Sequence, residues 1–288
     1  MDLKELRNEI DQIDDALVRL FVQRMEVSAR IADYKKENDL PIFVPAREQD
    51  KLLDVAHKAG ADMAVYTRVL YDLLFELSRG YQSKRNAGRT ALFSQISHAM
   101  DTTAHMMPRD CAVACLNDGL ESIHFVCQKL FGTCSTLPFK NMEGVLSAVS
   151  QGMCRYGVLP VGDSVKHIYD QLADRGLFII RSFRMADHSQ MICVGKLMEI
   201  FPGADHSTIR MALSDRPGAL YKVLSRLYTL GINVVRLESR PIAEKNFQGM
   251  FYFDLQASVY SDEFVQLICE LDDLCQDFAY LGSYTEVI

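Results

Sequence analysis

The sequence predicts a multidomain protein in which an all-helical region is followed by a small α/β lobe and an α+β region of ferredoxin-like order. Apolar residues at alternating steps of three and four run through the first 36 residues, which is typical of a long helix packed against other helices. Beyond residue 110 short apolar runs alternate with helical stretches, as in α/β and α+β folds. We therefore expect a helical domain at 1–85, a linker at 86–110, an α/β segment at 111–200 and an α+β domain at 207–288.

One charged residue interrupts the apolar seam of the first helix. The seam consists of Leu3, Leu6, Ile10, Ile13, Leu17, Leu20, Val27, Ile31 and Tyr34. Arg24 occupies the position between Leu20 and Val27, where burial of a guanidinium is costly unless an anion pairs with it. The alternative is a structural arginine that extends to the surface or pairs with a carboxylate.

Two further cations lie on this helix. Lys35 follows Arg24 by about three turns, roughly 16 Å along nearly the same face, so the two side chains could hold a small dianion between them. Arg7 is roughly 42 Å from Lys35 by the same rise per residue, too far to reach that site. A contribution from Arg7 therefore requires a second copy in an antiparallel, intertwined dimer.

Two more helices are predicted in the N-terminal region. Pro45 suits the first turn of a helix that carries Arg47 and Glu48 and closes at Gly60. The third helix runs from about 62 to 84. Its inward residues are expected to be Tyr66, Val69, Leu70, Leu73, Leu74, Leu77 and Tyr81. The Leu70–Leu74 row continues into Ser78 and Gln82, which either places polar groups in the interior or marks where the helix surfaces.

Composition and charge argue against several classes of function. The net charge of −7 and the absence of a basic run disfavour a nucleic-acid partner. The N-terminus has no signal-peptide core, and no apolar stretch is long enough to cross a bilayer. All eight cysteines lie between Cys111 and Cys275 without a CxxC pair, which favours reduced thiols over disulfides or a zinc site. We expect a cytoplasmic protein without metal, cofactor or membrane partner.

The run LRNEIDQIDDALVRLFVQR, then Lys35, then Pro45-Ala46-Arg47-Glu48, then Ser78 with Gln82, resembles the all-helical class of chorismate mutase over residues 1–85. The resemblance implies an intertwined helical dimer that converts chorismate to prephenate. It implies that Arg24 and Arg47 bind the substrate carboxylates and that Ser78 helps to position a carboxylate. Lys35 and Gln82 are implied to hydrogen-bond the ether oxygen, and Glu48 to contact the substrate hydroxyl. Arg7 is implied to reach into the partner's site. One departure is Val44, where some members carry an aspartate.

The chemistry of this rearrangement suits these residue types. A pericyclic reaction requires no nucleophile, metal or cofactor. The protein has to hold the chair-like conformer and stabilise the negative charge that grows on the breaking C–O oxygen. Preorganised cations do both, and the arginine fork matches carboxylates.

The phrase Tyr156–Ser164, followed by Ile168-Tyr169-Asp170, resembles the prephenate dehydratase domain, which usually has two lobes around a cleft. Only about 85 residues are present here, enough for one lobe. Gly162 and Asp163 stand where the family usually carries glutamate and asparagine, and its threonine–arginine–phenylalanine signature aligns with Ser189-Gln190-Met191. We interpret the segment as a degenerate remnant, and retained dehydration is the alternative.

The third region carries two motifs. At Asp215–Leu220, Gly218 lets a ligand approach the exposed amides of a helix N-terminus, although an ordinary tight turn is the alternative. Gly218-Ala219-Leu220 and Glu238-Ser239-Arg240-Pro241 resemble the phenylalanine-binding signature of the ACT domain in bifunctional chorismate mutase–prephenate dehydratases. The resemblance implies L-phenylalanine bound between paired ACT domains as a feedback effector.

Three hypotheses follow from these patterns. The first is a chorismate mutase under phenylalanine control with a decayed dehydratase segment. The second is the fully bifunctional enzyme that makes phenylpyruvate. The third is a non-catalytic phenylalanine sensor whose helices only dimerise it, and a dimerisation helix would be expected to carry an aliphatic residue in place of Arg24.

Overall fold

The computed structural model describes residues 2–38, 40, 44–86, 91–117, 120–162, 166–185, 189–214, 217–242, 248–274 and 277–287. The chain divides into two compact units, residues 1–87 and 88–288. None of the helices in the described ranges combines the length and apolar character required to cross a bilayer.

The first unit is a long–short–long arrangement of three helices, as predicted: α1 (Leu3–Glu37), α2 (Pro45–Ala59) and α3 (Ala64–Asn86). The 35 residues of α1 form one continuous helix, roughly 52 Å long at the usual rise. Pro45 occupies the first turn of α2, where its missing N–H costs nothing. Gly60 ends α2 with a φ of 79°, a conformation that glycine adopts without steric cost.

The apolar seam of α1 is exposed along its whole length in this single chain, which differs from the packed seam that its spacing predicts. The six seam residues before Arg24 are 40–61% exposed, and the three after it are 39–61% exposed: Leu3, Leu6, Ile10, Ile13, Leu17 and Leu20, then Val27, Ile31 and Tyr34. The buried apolar residues of α1 are Met25, Ala29 and Ala32, which lie outside the seam, and α1 packs against α3. The prediction that seven residues of α3 face inward is wrong for four of them in this single chain. Tyr66, Val69, Leu70 and Tyr81 are exposed. Exposed apolar side chains in such number are typical of a protein interface.

The second unit begins with a helix inside the predicted linker. Its elements are α4 (Ala91–Thr102), β1 (Ala112–Leu116), α5 (Leu120–Phe131), β2 (Ser135–Phe139), α6 (Met142–Ser150), β3 (Tyr156–Val161), α7 (Lys166–Arg175), β4 (Phe178–Arg184), β5 (Gln190–Gly195), β6 (His206–Ser214), α8 (Ala219–Thr229), β7 (Asn233–Pro241), β8 (Gln248–Gln256), α9 (Asp262–Leu274), β9 (Phe278–Tyr284) and β10 (Glu286–Val287). Ile96 and Ala99 of α4 are buried in one core with residues of β6 and α9.

The strands form two sheets. The first has six strands in the order β10-β4-β5-β3-β1-β2, with β5 antiparallel to both of its neighbours. The second has four strands in the order β7-β8-β6-β9 and carries α8 and α9. Its βαββαβ order is the one that the sequence predicts and gives a ferredoxin-like sheet.

The two sheets share a core. Tyr169 of α7 packs with Tyr252 of β8 and with Leu281 and Tyr284 of β9. Gly282 has a φ of 131°, and a Cβ there would lie 2.3 Å from the carbonyl oxygen of Ile179 in β4. The strand β10 then pairs in parallel with β4. Because backbone meets backbone at Gly282, the α/β lobe is joined tightly to the ferredoxin-like sheet.

Asp170 of α7 is the polar centre of this junction. Its carboxylate accepts hydrogen bonds from Arg210 (2.9 Å), from Arg240 Nε (2.8 Å) and from the Tyr252 hydroxyl (2.8 Å). Burial, followed by the bond to Asp170, raises the pKa of Tyr252 to about 12, so this hydroxyl remains a donor.

We expect Asp170→Asn to lower the free energy of unfolding by about 2–3 kcal/mol, because Arg240 then loses its carboxylate partner and Arg210 loses its nearest one. Arg210 keeps a second carboxylate, that of Asp277, at 3.5 Å. Urea unfolding of the full chain, followed by circular dichroism, measures this loss. Asp174→Asn is the matched control, since Asp174 is 68% exposed and lies 3.7 Å from Arg210. Its effect should stay within about 0.5 kcal/mol. Equal effects of the two substitutions would contradict the assignment.

Candidate active site

A cavity of about 760 Å³ lies among the three helices of the first unit, within the size range of small-molecule sites. Its lining includes six of the seven residues that the sequence singles out in this region: Arg24, Lys35, Arg47, Glu48, Ser78 and Gln82. Val44, at the position where some mutases carry aspartate, lines it too. Residues more than 50 positions apart in the chain are thus brought to one cavity.

Arg24 is held by neutral groups. Its Nη1 donates to the carbonyl oxygen of Leu74 at 3.1 Å and to the hydroxyl of Ser78, and its guanidinium lies 5.6 Å from the centroid of the Phe75 ring. Ser78 donates in turn to the Leu74 carbonyl at 2.7 Å. Burial lowers the pKa of Arg24. A desolvated cation fixed by neutral partners is prepared to accept an anion.

Lys35 and Arg47 place two further positive charges at the cavity. Burial lowers the pKa of Lys35, Arg47 lowers it further, and Glu48 opposes the shift. The positive charges of Lys35 and Arg47 repel one another at the wall of the cavity, and a bound dianion would relieve this repulsion.

Two of the three carboxylates that line the cavity are paired with cations other than Arg24, Lys35 and Arg47. Glu48 forms an ion pair with Arg79, and Asp54 forms ion pairs with Lys51 (2.8 Å) and Lys58 (2.9 Å). Arg79 is 8% exposed and also contacts Glu76 at 2.5 Å. The sequence pattern does not single out Arg79, because a charged residue directly after Ser78 is equally typical of an exposed helix face.

Gln82 lines the cavity with an unsatisfied polar group. Its side chain is 8% exposed, and among the described residues its Oε1 has no hydrogen-bond partner. A buried amide without a partner costs free energy that a ligand can recover. Since the oxygen and nitrogen of a glutamine side chain are interchangeable by rotation, the same position can accept or donate.

Arg7 does not reach this cavity from its own helix. Its side chain is exposed on the first half of α1, roughly 42 Å from Lys35 by the helical rise. It lies beside the exposed apolar seam residues Leu6 and Ile10.

The two predicted effector motifs lie at one end of the ferredoxin-like sheet. Gly218 is the N-cap of α8 with a φ of 88°, and Ala219 and Leu220 begin that helix, while Glu238, Ser239, Arg240 and Pro241 end β7. Ser214 at the end of β6 pairs with Gln248, and Pro241 at the end of β7 pairs with Gly249. The ends of β6 and β7 therefore flank the start of β8 at the same edge of the sheet. Arg240 is engaged by Asp170. Asp215 lies outside the described residues.

Two of the three residues aligned with the dehydratase signature, Gln190 and Met191, lie on β5, and Ser189 directly precedes that strand. Gln190 is buried in β5 and donates to Ser182 at 2.8 Å, whereas Ser189 is exposed. Asp163 and Ser164 lie outside the described residues. Cys111, Cys115, Cys127, Cys134, Cys154 and Cys193 are free thiols, and no group of metal-binding side chains is found in the described part of the chain.

Part of the chain matches a known protein family. The family "Chorismate mutase type II" matches residues 6–83. The bifunctional chorismate mutase/prephenate dehydratase of Aquifex aeolicus (strain VF5) is 24% identical over 357 aligned positions, which cover 100% of this chain and 99% of that protein. Because the chain has 288 residues, at least 69 of those positions are gaps in it.

Two solved structures resemble part of the chain. A protein described as a novel type of quorum quenching acylase has a TM-score of 0.53 and 22% identity, over 60% of this chain and 94% of its own. The prephenate dehydratase of Arthrobacter aurescens in complex with L-Phe has a TM-score of 0.51 and 16% identity, over 60% and 90%. At such identities the likeness shows the fold alone. Residues 6–83 therefore match the type II chorismate mutase family, and the chain is similar along its whole length to a bifunctional chorismate mutase/prephenate dehydratase.

Proposed function

We propose that the protein is a chorismate mutase that converts chorismate to prephenate in the cavity of the helical unit. One observation carries the proposal. The seam arginine Arg24 lines the same cavity as Lys35, Arg47 and the unsatisfied amide of Gln82. A dianionic substrate with an ether oxygen matches this combination of cations and a neutral hydrogen-bonding group.

In the proposed mechanism, Arg24 and Arg47 bind the two carboxylates and so hold the substrate in its chair-like conformer. Lys35 and Gln82 donate to the ether oxygen, where negative charge grows as the C–O bond breaks. Ser78 fixes the guanidinium of Arg24, a role that its hydrogen bond supports in addition to the implied contact with a carboxylate. Glu48 accepts a hydrogen bond from the substrate hydroxyl.

Arg7 would act in the site of a second copy. The exposed apolar seam of α1 supports this step, since a partner helix would cover it. An antiparallel partner would place Arg7 of one copy near Lys35 of the other. The proposed active form is therefore a homodimer.

The α/β lobe is proposed to have lost dehydratase activity. A cleft between two lobes requires a second sheet, and only one sheet of this type is present in the described residues. The gaps in the alignment with the Aquifex protein are large enough to account for the difference.

L-Phenylalanine is proposed as the effector. Two features support it, namely the shared sheet end of both motifs and the αL glycine at the start of α8, where backbone amides are open to a carboxylate. The likeness in fold to a dehydratase solved with L-Phe is consistent with the assignment.

One assay tests these proposals. The protein is incubated with chorismate, and prephenate and phenylpyruvate are measured separately, with and without L-phenylalanine. Prephenate alone, in an amount that responds to phenylalanine, is the expected result. An unchanged chorismate concentration would contradict the mutase and favour a sensor. Phenylpyruvate formed without acid treatment would favour the fully bifunctional enzyme.

The alkaline limb of kcat/KM is expected to report Lys35. Burial and Arg47 lower the pKa of Lys35 below the ordinary lysine value of about 10.4. As the pH rises, activity should therefore begin to fall before the pH reaches that value. Lys35→Arg should move this limb upward, since a guanidinium remains protonated. An identical alkaline limb in wild type and Lys35→Arg would assign the titration to another group.

A further inference from the structure

Arg79 lies at the cavity without a role in the reaction described above. Its guanidinium bridges two carboxylates, Glu48 of α2 through Nη1 and Glu76 of α3 through Nη2. The side chain is 8% exposed, and an arginine is rarely so buried without a specific pairing. The bridge joins two helices at the wall of the site.

Glu48 lies within electrostatic reach of the cavity's own cations. Its charge opposes the lowering of the pKa values of both Arg24 and Lys35 by burial. In the absence of another partner, its carboxylate would be drawn to these two side chains. Such an ion pair would neutralise the charges that have to bind the dianionic substrate, because each cation can be satisfied from within the protein.

We propose that Arg79 is a positioning residue that holds Glu48 away from Arg24 and Lys35 and leaves one carboxylate oxygen of Glu48 for the substrate hydroxyl. This inference rests on the proposed mutase function. Arg79 contacts Glu48 through one of its two oxygens, Oε1. Glu76 engages the other arm of the guanidinium and so fixes its plane.

The inference predicts a specific pattern of kinetic effects. Arg79→Gln should raise KM for chorismate by roughly tenfold and change kcat less, because Glu48 then competes with the substrate for its cations. In the Glu48→Gln background no such competitor exists. There, Arg79→Gln should change KM by less than about twofold. This loss of effect is the signature of action through Glu48.

The experiment is a double-mutant cycle on the full-length protein with Arg79→Gln, Glu48→Gln and the double variant. Arg68→Gln is the matched control, since Arg68 is an exposed arginine of α3 outside the cavity, and its KM should equal that of wild type. If Arg79→Gln does not fold by circular dichroism, Arg79→Lys takes its place in the cycle. Lysine keeps the charge but cannot bridge both carboxylates.

The outcomes separate the two proposals. Wild-type protein that leaves chorismate unchanged would overturn the mutase function itself. An active wild type in which Arg79→Gln has an unchanged KM would overturn only the role of Arg79. The role of Arg79 would also be overturned if Arg79→Gln raised KM equally in the wild-type and Glu48→Gln backgrounds, because a purely structural arginine acts independently of Glu48.

Discussion

Arg24→Ala is expected to lower kcat/KM for chorismate by about three orders of magnitude while the protein remains folded. The guanidinium is proposed to bind a substrate carboxylate, and loss of a preorganised charge at a reacting group typically costs this much. Stability should not fall in parallel. Arg24 is desolvated and bonded to neutral groups, so its removal relieves the burial of a charge. Steady-state kinetics and thermal unfolding of the same preparations measure both effects.

Arg19→Ala is the matched control for this substitution. Arg19 lies on the same helix, is exposed, and its Nε donates to the Asp15 carbonyl at 3.2 Å. Its kcat/KM should remain within about twofold of wild type. If Arg24→Ala were equally active, Arg24 would be only a structural arginine of the helix seam. If it were inactive because it had unfolded, the thermal melt would show this directly.

Local periodicity was sufficient to predict much of the molecule. The heptad spacing indicates α1 and marks Arg24 as anomalous, and steps of four along α3 bring Ser78 and Gln82 to the same cavity. The alternation of strands and helices after residue 207 gives the ferredoxin-like order. In each case the information lies within a few turns or strands of the chain, where spacing determines which side chains share a face.

The missed features depend on distant partners. Arg79 meets Glu48 across 31 residues, and Asp170 meets Tyr252 across 82, and no local pattern records either pair. The strand β2 contains Pro138, which removes a ladder donor and is tolerated because β2 is at the edge of its sheet. The edge position is a property of the whole sheet, so the segment itself could not reveal it.

The exposed residues of α3 show a third kind of limit. The sequence predicts that Tyr66, Val69 and Leu70 are buried, and in one chain they are exposed together with the α1 seam. A hydrophobic face indicates that something covers it, but spacing does not say whether the cover belongs to the same chain. Arg7, too far from Lys35 on its own helix, is what points to a second copy.

Subunit complementation is expected to restore activity from two inactive variants. Arg7→Ala and Lys35→Ala each disable every site of a homodimer, if Arg7 acts across the interface. After exchange of subunits in an equal mixture, half of the dimers are mixed. Each mixed dimer has one site with both residues intact and one site with neither. About a quarter of all sites should then be active.

The double variant Arg7→Ala/Lys35→Ala mixed with wild type is the matched control. Each mixed dimer then contains one site without Arg7 and one without Lys35, so it should add no activity to that of the wild-type homodimers. Recovery in the first mixture and none in the control would place Arg7 and Lys35 of different copies in one site. The opposite result would be that differently tagged chains form mixed dimers by size-exclusion chromatography but recover no activity. Each site would then have to contain Arg7 and Lys35 of the same chain. The roughly 42 Å along α1 excludes that within a single straight helix, so Arg7 would then be only an exposed residue of the interface.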